Sequence, residues 1–173
     1  MRRTALISFV TAAAVVVASC TTAPPPAGAP AAESPAPQAS APQAPAWHAE
    51  MLAAINAERA ADGKSPLSAC GTLNVAAQAH SEDQAAHRNM SHTGSDGSNP
   101  GVRIERAGYL GWNAWGENVA WNQSDVAQVM YAWMNSSGHR ANILSGSFTH
   151  VGVGRADSNG PYWTQVFGRG GSC

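Results

Sequence analysis

Two imidazoles and one carboxylate, in three short polar segments, are the residues of this 173-residue sequence best suited to chemistry. They are His92 in SHT (91–93), Glu117 in GEN (116–118) and His139 in SGHRANIL (137–144). Imidazole nitrogen and carboxylate oxygen suit zinc, and a catalytic zinc takes three protein ligands plus water. The same groups could move a proton near neutral pH or line a polar ligand pocket. The residue types therefore indicate a site and leave its chemistry open.

Each enzymatic reading lacks a part in this sequence. There is no His-Glu-x-x-His helix for zinc and no Gly-x-Ser-x-Gly turn for a serine nucleophile. A glycosidase needs two carboxylates, and Glu117 has no evident partner in these segments. The structural alternative is that a histidine bonded to a buried glutamate holds loops to a sheet. On that view Arg140 clamps a carboxylate inside the fold or faces solvent, the first being favoured, and Asn118 and Asn142 cap turns or helix ends.

The elements that must position these groups are indicated by hydrophobic periodicity and by cap and turn residues. Residues that recur every three and four positions form one face of the predicted second helix, and His80 and His87 lie on that face. Both histidines are expected to have a structural role. Ser124 is the expected cap of the fourth helix. Helices are predicted over about 47–62, 71–88, 100–107, 125–134 and 138–144, and strands over 117–121, 151–154 and 162–167, the last two forming a hairpin. Helices with a closing antiparallel hairpin favour an α+β domain.

The first residues are typical of a targeting segment. Arg2 and Arg3 precede an apolar run that is too short for a confident membrane-spanning helix. The run ends in VASC (17–20), which resembles a bacterial lipoprotein cleavage box, so that residues 1–19 would be the signal peptide and Cys20 the lipidated first residue. An ordinary secretion signal cut nearby is the alternative. Thr21 after the cysteine is similar to the enteric pattern for the outer membrane.

Two further segments follow the predicted signal peptide. Residues 20–46 are rich in Ala and Pro and are expected to form a disordered tether. Residues 47–173 are one domain, large enough for a hydrophobic core. Loss of Arg2 and Arg3 from the ten basic residues leaves eight against eleven Asp and Glu, which argues against a nucleic-acid partner. With Cys20 lipidated, an oxidising compartment favours a Cys70–Cys173 disulfide, two free thiols being the alternative.

Six motifs, in order, resemble those of bacterial CAP domains, also called SCP-like domains and related to cysteine-rich secretory proteins, antigen 5 and plant pathogenesis-related proteins. The motifs are AHSED (79–83), SHT (91–93), GEN (116–118), SGHRANIL (137–144), VGVG (151–154) and YWTQVF (162–167). The resemblance covers 47–173. It implies an α-β-α sandwich with a small, mainly antiparallel sheet and a central groove. In the animal and plant branch of the family, a tetrad of two histidines and two glutamates lines that groove.

This chain matches about half of that tetrad. His92 and Glu117 match the first histidine and the Gly-Glu-Asn glutamate. The later glutamate position falls at Ser136, and the last histidine is replaced by Tyr162 or Trp163. The resemblance implies that Ser136 and Tyr162 line the groove, while His139 belongs to the bacterial Gly-His-Arg pattern and could supply the second imidazole.

The resulting expectation is a lipid-anchored, extracytoplasmic protein of the bacterial cell envelope. We expect it to bind a lipid, a sterol-like or other envelope ligand, or a protein partner in its groove, with Trp112 and Trp115 as further candidate contacts. The alternative is a hydrolase, metal-assisted or His/Glu-based, acting on peptide or cell-wall material. No cofactor is required by this expectation, although zinc on His92, Glu117 and His139 is a candidate. Cys20 would attach the protein to a membrane, at the periplasmic face of the outer membrane in a Gram-negative cell.

Overall fold

The computed structural model describes residues 45–173. The predicted signal peptide, Cys20 and the tether up to residue 44 lie outside that range. The helices are α1 (Ala46–Ala61), α2 (Gly71–His87), α3 (Pro100–Arg106), α4 (Val126–Met134) and α5 (Ser137–Leu144). The strands are β1 (Ser68–Ala69), β2 (Ala114–Trp121), β3 (His150–Asp157) and β4 (Pro161–Arg169). None of these five helices combines the length and the apolar character needed to cross a membrane.

The four strands of the described chain form one sheet in the order β1-β3-β4-β2. β3 and β4 are the predicted hairpin, and β2 runs antiparallel to β4 with Glu117 opposite Val166. Only β1, which the sequence did not predict, pairs in parallel. A strand of two residues has no alternation to detect, so it was missed for lack of a pattern.

The alternation of side chains along the strands places one helical layer on each side of the sheet. Val151, Val153 and Phe167 face α1, α4 and α5, within the larger apolar cluster. Gly152 and Gly154 face α2 on the other side, where α3 also packs. The predicted α-β-α sandwich with a mainly antiparallel sheet is therefore confirmed.

A capping side chain starts two of the five described helices, α3 and α4. Asn99 caps α3 through its Oδ1, which accepts a hydrogen bond from the backbone N–H of Val102, and Pro100 is the first helical residue. The cap of α4 is Asp125, whose Oδ1 accepts from the N–H of Gln128. Ser124, the expected cap, instead donates to the Asp125 carboxylate. The two residues are adjacent and both have capping side chains, so sequence did not separate them.

The expected Cys70–Cys173 disulfide is present, with 5.1 Å between the two Cα atoms. Cys70 is the residue just before α2 and is fully buried. The bridge therefore ties the C-terminus of the chain to the start of the helix that covers one face of the sheet.

Candidate functional site

Glu117 is the centre of the site because β2 directs its side chain toward α2 and α3. Its neighbour Asn118 faces the opposite layer, as strand alternation requires. The Glu117 side chain is only 2% exposed. Its Oε1 lies 2.9 Å from His92 Nδ1, and its Oε2 lies 2.6 Å from Arg103 Nη2. Both carboxylate oxygens thus face donors, which satisfies a charge that would be costly to bury alone.

His92 lies in the loop between α2 and α3, and α2 holds that loop in place. His80 Nε2 is 2.7 Å from the carbonyl oxygen of Ser91, and Gln84 Oε1 accepts a hydrogen bond from the Ser91 N–H. Gln84 is itself buried and donates to Thr164 on β4. This series of hydrogen bonds, from β4 through α2 to Ser91, therefore sets the position of His92. The His92 side chain is 54% exposed.

Arg103 is a site residue that the sequence analysis did not single out. Besides Glu117, its guanidinium donates to the carbonyl oxygens of Ser98, at 2.8 Å, and His92, at 3.0 Å. The side chain is 9% exposed. The sequence carried only a weak signal for this role. Arg103 stands between two apolar residues, Val102 and Ile104, in a helix of only seven residues.

The carboxylate clamp expected at Arg140 is therefore at Arg103. Arg140 is exposed on α5 and forms no ion pair within residues 45–173. Sequence position alone could not distinguish the two arginines, because each lies in a short helix near a polar motif.

His80 is buried behind the carboxylate, with its Nε2 3.9 Å from Glu117 Oε1 and its side chain 0% exposed. Burial lowers the pKa of His80, and Glu117 only partly opposes that shift. A carbonyl oxygen only accepts, so Nε2 must carry the proton that is donated to Ser91. His80 Nδ1 has no hydrogen-bond partner among the described residues. The expected structural role of His80 fits these contacts, whereas His87 on the same helix is exposed and pairs with Asp83.

His139 reaches the site from α5, in the opposite helical layer. Burial lowers the pKa of its imidazole, and the neighbouring charge of His92 lowers it further. The backbone carbonyl of His139 accepts a hydrogen bond from Asn118 Nδ2 at 3.1 Å. Because β2 is an edge strand, groups from the two layers can meet beside it. We call His92, Glu117 and His139 the β2-edge site.

The two asparagines join β2 to α5 instead of capping turns. Asn142 Nδ2 donates to the carbonyl oxygen of Glu117, at 3.1 Å, and to Asn118 Oδ1, at 2.9 Å. Asn118 Nδ2 also donates to Gln165 Oε1 at 2.8 Å. These bonds satisfy an outward-facing backbone oxygen of the edge strand and keep α5 against it.

Ser136 and Tyr162 do not contact the carboxylate of Glu117 through a hydrogen bond in the described part of the chain. Ser136 is the residue before α5, and its side chain makes no cap hydrogen bond. Tyr162 is buried, opposite Trp121 on β2, with 6.1 Å between the two ring centroids. That register lies four residues along the strand from Glu117, or roughly 13 Å at the usual rise of a strand. In the described part of the chain, no hydrogen bond joins either residue to the His92–Glu117 pair.

The donor set does not fit a three-ligand zinc site. Within residues 45–173, no group of three or more His, Cys, Asp or Glu is arranged to hold a metal ion. Arg103 places a positive charge directly beside the Glu117 carboxylate, and His92 Nδ1 is turned toward the same carboxylate. A cation would have to displace both contacts before it could bind Glu117.

A pocket of about 360 Å³ adjoins the site between α2, α3 and the loop that joins them. His80 and Arg103, which lie beside Glu117, line the pocket, but no member of the β2-edge site does. Its carboxylates are already paired, Asp83 with Ser95 and His87, and Asp96 with Arg106. The pocket therefore offers no free carboxylate to the β2-edge site.

Comparison with known proteins agrees with the resemblance to the CAP family. A family model described as "CAP: Cysteine-rich secretory protein family" matches residues 52–167. The uncharacterised protein YkwD of Bacillus subtilis (strain 168) is 38% identical over 122 residues, which cover 70% of this chain and 47% of YkwD. The uncharacterised membrane protein YlbC of the same organism is 35% identical over 88 residues, covering 51% of this chain and 24% of YlbC. The chain thus spans less than half the length of these relatives.

Solved structures share the fold. An extracellular protein containing a SCP domain, from Bacillus anthracis str. Ames, has a TM-score of 0.67 and 29% identity, covering 75% of this chain and 45% of that one. An outer surface protein of Borrelia burgdorferi has a TM-score of 0.65 and 22% identity, covering 70% of this chain and 90% of that one. The second likeness concerns the fold alone.

Proposed function

The chain belongs to the cysteine-rich secretory protein (CAP) family, and we propose that it is a lipid-anchored, extracytoplasmic binding protein of the bacterial envelope. The ligand would contact the imidazoles of the β2-edge site. The extracytoplasmic location is supported by the motif VASC (17–20) and by the relative from Bacillus anthracis, which is described as extracellular.

One observation carries the binding role: Glu117 is committed on both oxygens to His92 and Arg103 and is nearly inaccessible. A catalytic acid, base or nucleophile needs access to the reacting atoms. Here the carboxylate orients His92 and stabilises the loop, and the half-exposed ring is left to meet a ligand.

The surroundings of the site support an amphipathic ligand. Trp115 lies two residues before Glu117 on the same face of β2, packs against Gly101 at the start of α3 and is 38% exposed. An exposed indole beside imidazoles offers an apolar surface next to hydrogen-bonding groups. A lipid, a sterol-like molecule or the surface of a protein partner combines those two characters, and among them we favour a lipid-like envelope ligand.

Native mass spectrometry tests this role. The full chain, purified after incubation with a total lipid extract of bacterial envelopes, should retain lipid, and His92→Ala and His139→Ala should each lower the retained fraction severalfold. His87→Ala, which removes an exposed imidazole of α2 outside the β2-edge site, is the matched control and should behave as the unmodified chain. Equal retention by all four proteins would contradict a ligand site at the β2 edge.

A hydrolase is the second candidate, favoured by the 2.9 Å contact that orients the His92 ring with Nε2 directed away from Glu117. Such a ring could act as a general base. The two cysteines of the domain are joined to each other and cannot serve as nucleophiles. If peptide or cell-wall fragments are turned over, His92→Ala should abolish turnover with little change in melting temperature. Loss of stability in proportion to activity would instead favour a structural role.

The anchor has its own test. Cys20→Ser should move the protein from the membrane fraction to the soluble fraction, because a diacylated cysteine supplies two or more chains and hence stable attachment. Unchanged fractionation would contradict lipidation at Cys20.

A further inference from the structure

The hydrogen bond between His92 and Glu117 has a direction. An ionised carboxylate only accepts hydrogen bonds, so the proton between the two groups is on His92 Nδ1. The other side of the carboxylate faces Arg103, which only donates. The same ionised form of Glu117 therefore satisfies both contacts, and they support each other.

Arg103 also positions the ring through the backbone. The same Nη2 that reaches Glu117 Oε2 donates to the His92 carbonyl oxygen, and Nη1 donates to the Ser98 carbonyl oxygen. One guanidinium thus holds the residue that carries the imidazole, a later point of the same loop, and the carboxylate that orients the imidazole. A planar group with several donors can do this, whereas an ammonium cannot hold the same fork geometry.

We infer that Arg103 and Glu117 fix neutral His92 as the tautomer with its proton on Nδ1, so that Nε2 presents a lone pair to the ligand. The ligand of the β2-edge site then supplies a hydrogen-bond donor, a hydroxyl or an amine, at His92. The part of this inference that concerns the ligand rests on the proposed function. The part that concerns the tautomer does not, because the tautomer is a property of the free protein. Arg103 is on this view a positioning residue that acts through Glu117.

The tautomer can be read directly from ¹⁵N chemical shifts of the histidine rings in the ligand-free full chain. The spectra are recorded at about pH 8.5, roughly two units above the ordinary pKa of histidine, because the two nitrogens of a neutral imidazole give distinct shifts. We expect protonated Nδ1 and unprotonated Nε2 at His92, with a preference of roughly tenfold or more, as a charge-assisted hydrogen bond allows. The reverse assignment, or an even mixture, would overturn the inference.

Glu117→Gln should reverse the tautomer without changing the shape of the side chain. Arg103 can only donate, so the amide oxygen turns toward Arg103 and the amide nitrogen turns toward His92. The amide then donates to Nδ1, and the proton of the ring moves to Nε2. A Glu117→Gln variant that keeps the wild-type tautomer would show that the carboxylate does not select it.

Arg103 is tested by a pair of variants and a control on the same helix. Arg103→Met should abolish the preference for Nδ1–H, and Arg103→Lys should restore much of it by keeping the positive charge beside Glu117. Arg106→Met, which removes an exposed arginine paired with Asp96, should leave the His92 shifts unchanged. A wild-type preference in Arg103→Met would refute the positioning role. If that variant does not fold, Arg103→Gln takes its place.

Phenol and anisole provide the ligand arm, because they differ in the hydroxyl donor and little in size. Phenol should shift the His92 Nε2 resonance upfield in the wild-type chain, and anisole at the same concentration should not. In Glu117→Gln the phenol effect at Nε2 should be lost. Equal effects of the two probes, or no effect of phenol, would contradict an accessible acceptor nitrogen. Failure of the wild-type chain to retain lipid would count against the proposed function and leave the tautomer result intact.

Discussion

The two faces of the sheet are stabilised in different ways. Toward α1, α4 and α5 the interior is filled by large apolar side chains, among them Trp133, Trp163 and Phe167, all at most 1% exposed. Toward α2 and α3 the apolar cluster is smaller, and the remaining space holds the ion pair of Glu117 with Arg103 and the buried ring of His80. One face depends on side-chain volume and the other on matched polar groups.

On the face of the sheet toward α2 and α3, which we call the polar face, α2 and the sheet also lie close together. A Cβ added at Gly152 would lie 2.1 Å from the backbone carbon of Leu73, and one added at Gly154 would lie 2.3 Å from that of Ala77. Asn74 accepts a hydrogen bond from the Val153 N–H, which holds α2 on β3. This close approach positions α2, and α2 positions Ser91 and His80. The site is therefore carried by the face that has the least tolerance for added volume.

The largest effect should come from unpairing the buried charge on the polar face. Arg103→Met should lower the free energy of unfolding by about 3–5 kcal/mol at neutral pH, because Glu117 would be buried without a partner. Replacing both partners, in Arg103→Met with Glu117→Leu, should recover a large part of that loss, since a well-packed apolar pair can substitute for a buried ion pair. Urea denaturation measures both, with exposed Arg106→Met expected to cost about 1 kcal/mol at most. If the double variant is as unstable as Arg103→Met alone, the stability of the polar face depends on side-chain volume and not on the pairing of charges.

A somewhat smaller effect should follow from adding one methyl group between helix and sheet. Gly154→Ala should destabilise the domain by about 3 kcal/mol, because the added carbon meets the backbone of α2 and not a flexible side chain. Gly138→Ala is the matched control: nothing lies within 4 Å of its added carbon, and the position is helical. It should be neutral or stabilising by up to about 1 kcal/mol. Thermal unfolding compares them, and equal melting temperatures would mean that α2 can move away from the sheet.

The smallest expected effect is a pH dependence that originates at His80. Burial lowers the pKa of His80 in the folded state, so below the unfolded value of 6.5 the unfolded chain binds a proton that the folded chain does not. Stability should therefore fall as the pH drops below about 6.5, by at most about 1.4 kcal/mol per pH unit for this one group. His80→Gln, which can still donate to Ser91, should show a shallower fall. Exposed His87→Gln should follow the wild type, and identical slopes for all three proteins would remove His80 as the cause.

Sequence reasoning succeeded where a pattern extends over many residues. The helices at α1 and α2 were predicted to within about a residue of their ends, and the β3–β4 hairpin was predicted from two apolar runs around a turn. The family and the sandwich followed from six motifs in order. The pairing of Cys70 with Cys173 followed from their number and the expected compartment.

It failed where one contact depends on how distant segments pack. Arg103 and Arg140 both lie in short helices, yet one binds Glu117 and the other is exposed. Strand register puts Tyr162 four residues along the sheet from Glu117, which its motif did not show, and the place of Tyr162 in a groove stays a prediction. Register is decided by the pairing of whole strands, and a motif read in isolation carries no information about it.

The sequence by itself determined that His92, Glu117 and His139 belong to a CAP domain, because motif order and periodicity are properties of the chain. Only the tertiary structure decided which groups surround Glu117. Three segments that lie far apart in sequence, the loop after α2, the middle of α3 and the edge strand β2, meet at one buried carboxylate. A buried charge must be satisfied by whatever donors the packed layers bring within hydrogen-bond distance, and that choice is made by packing.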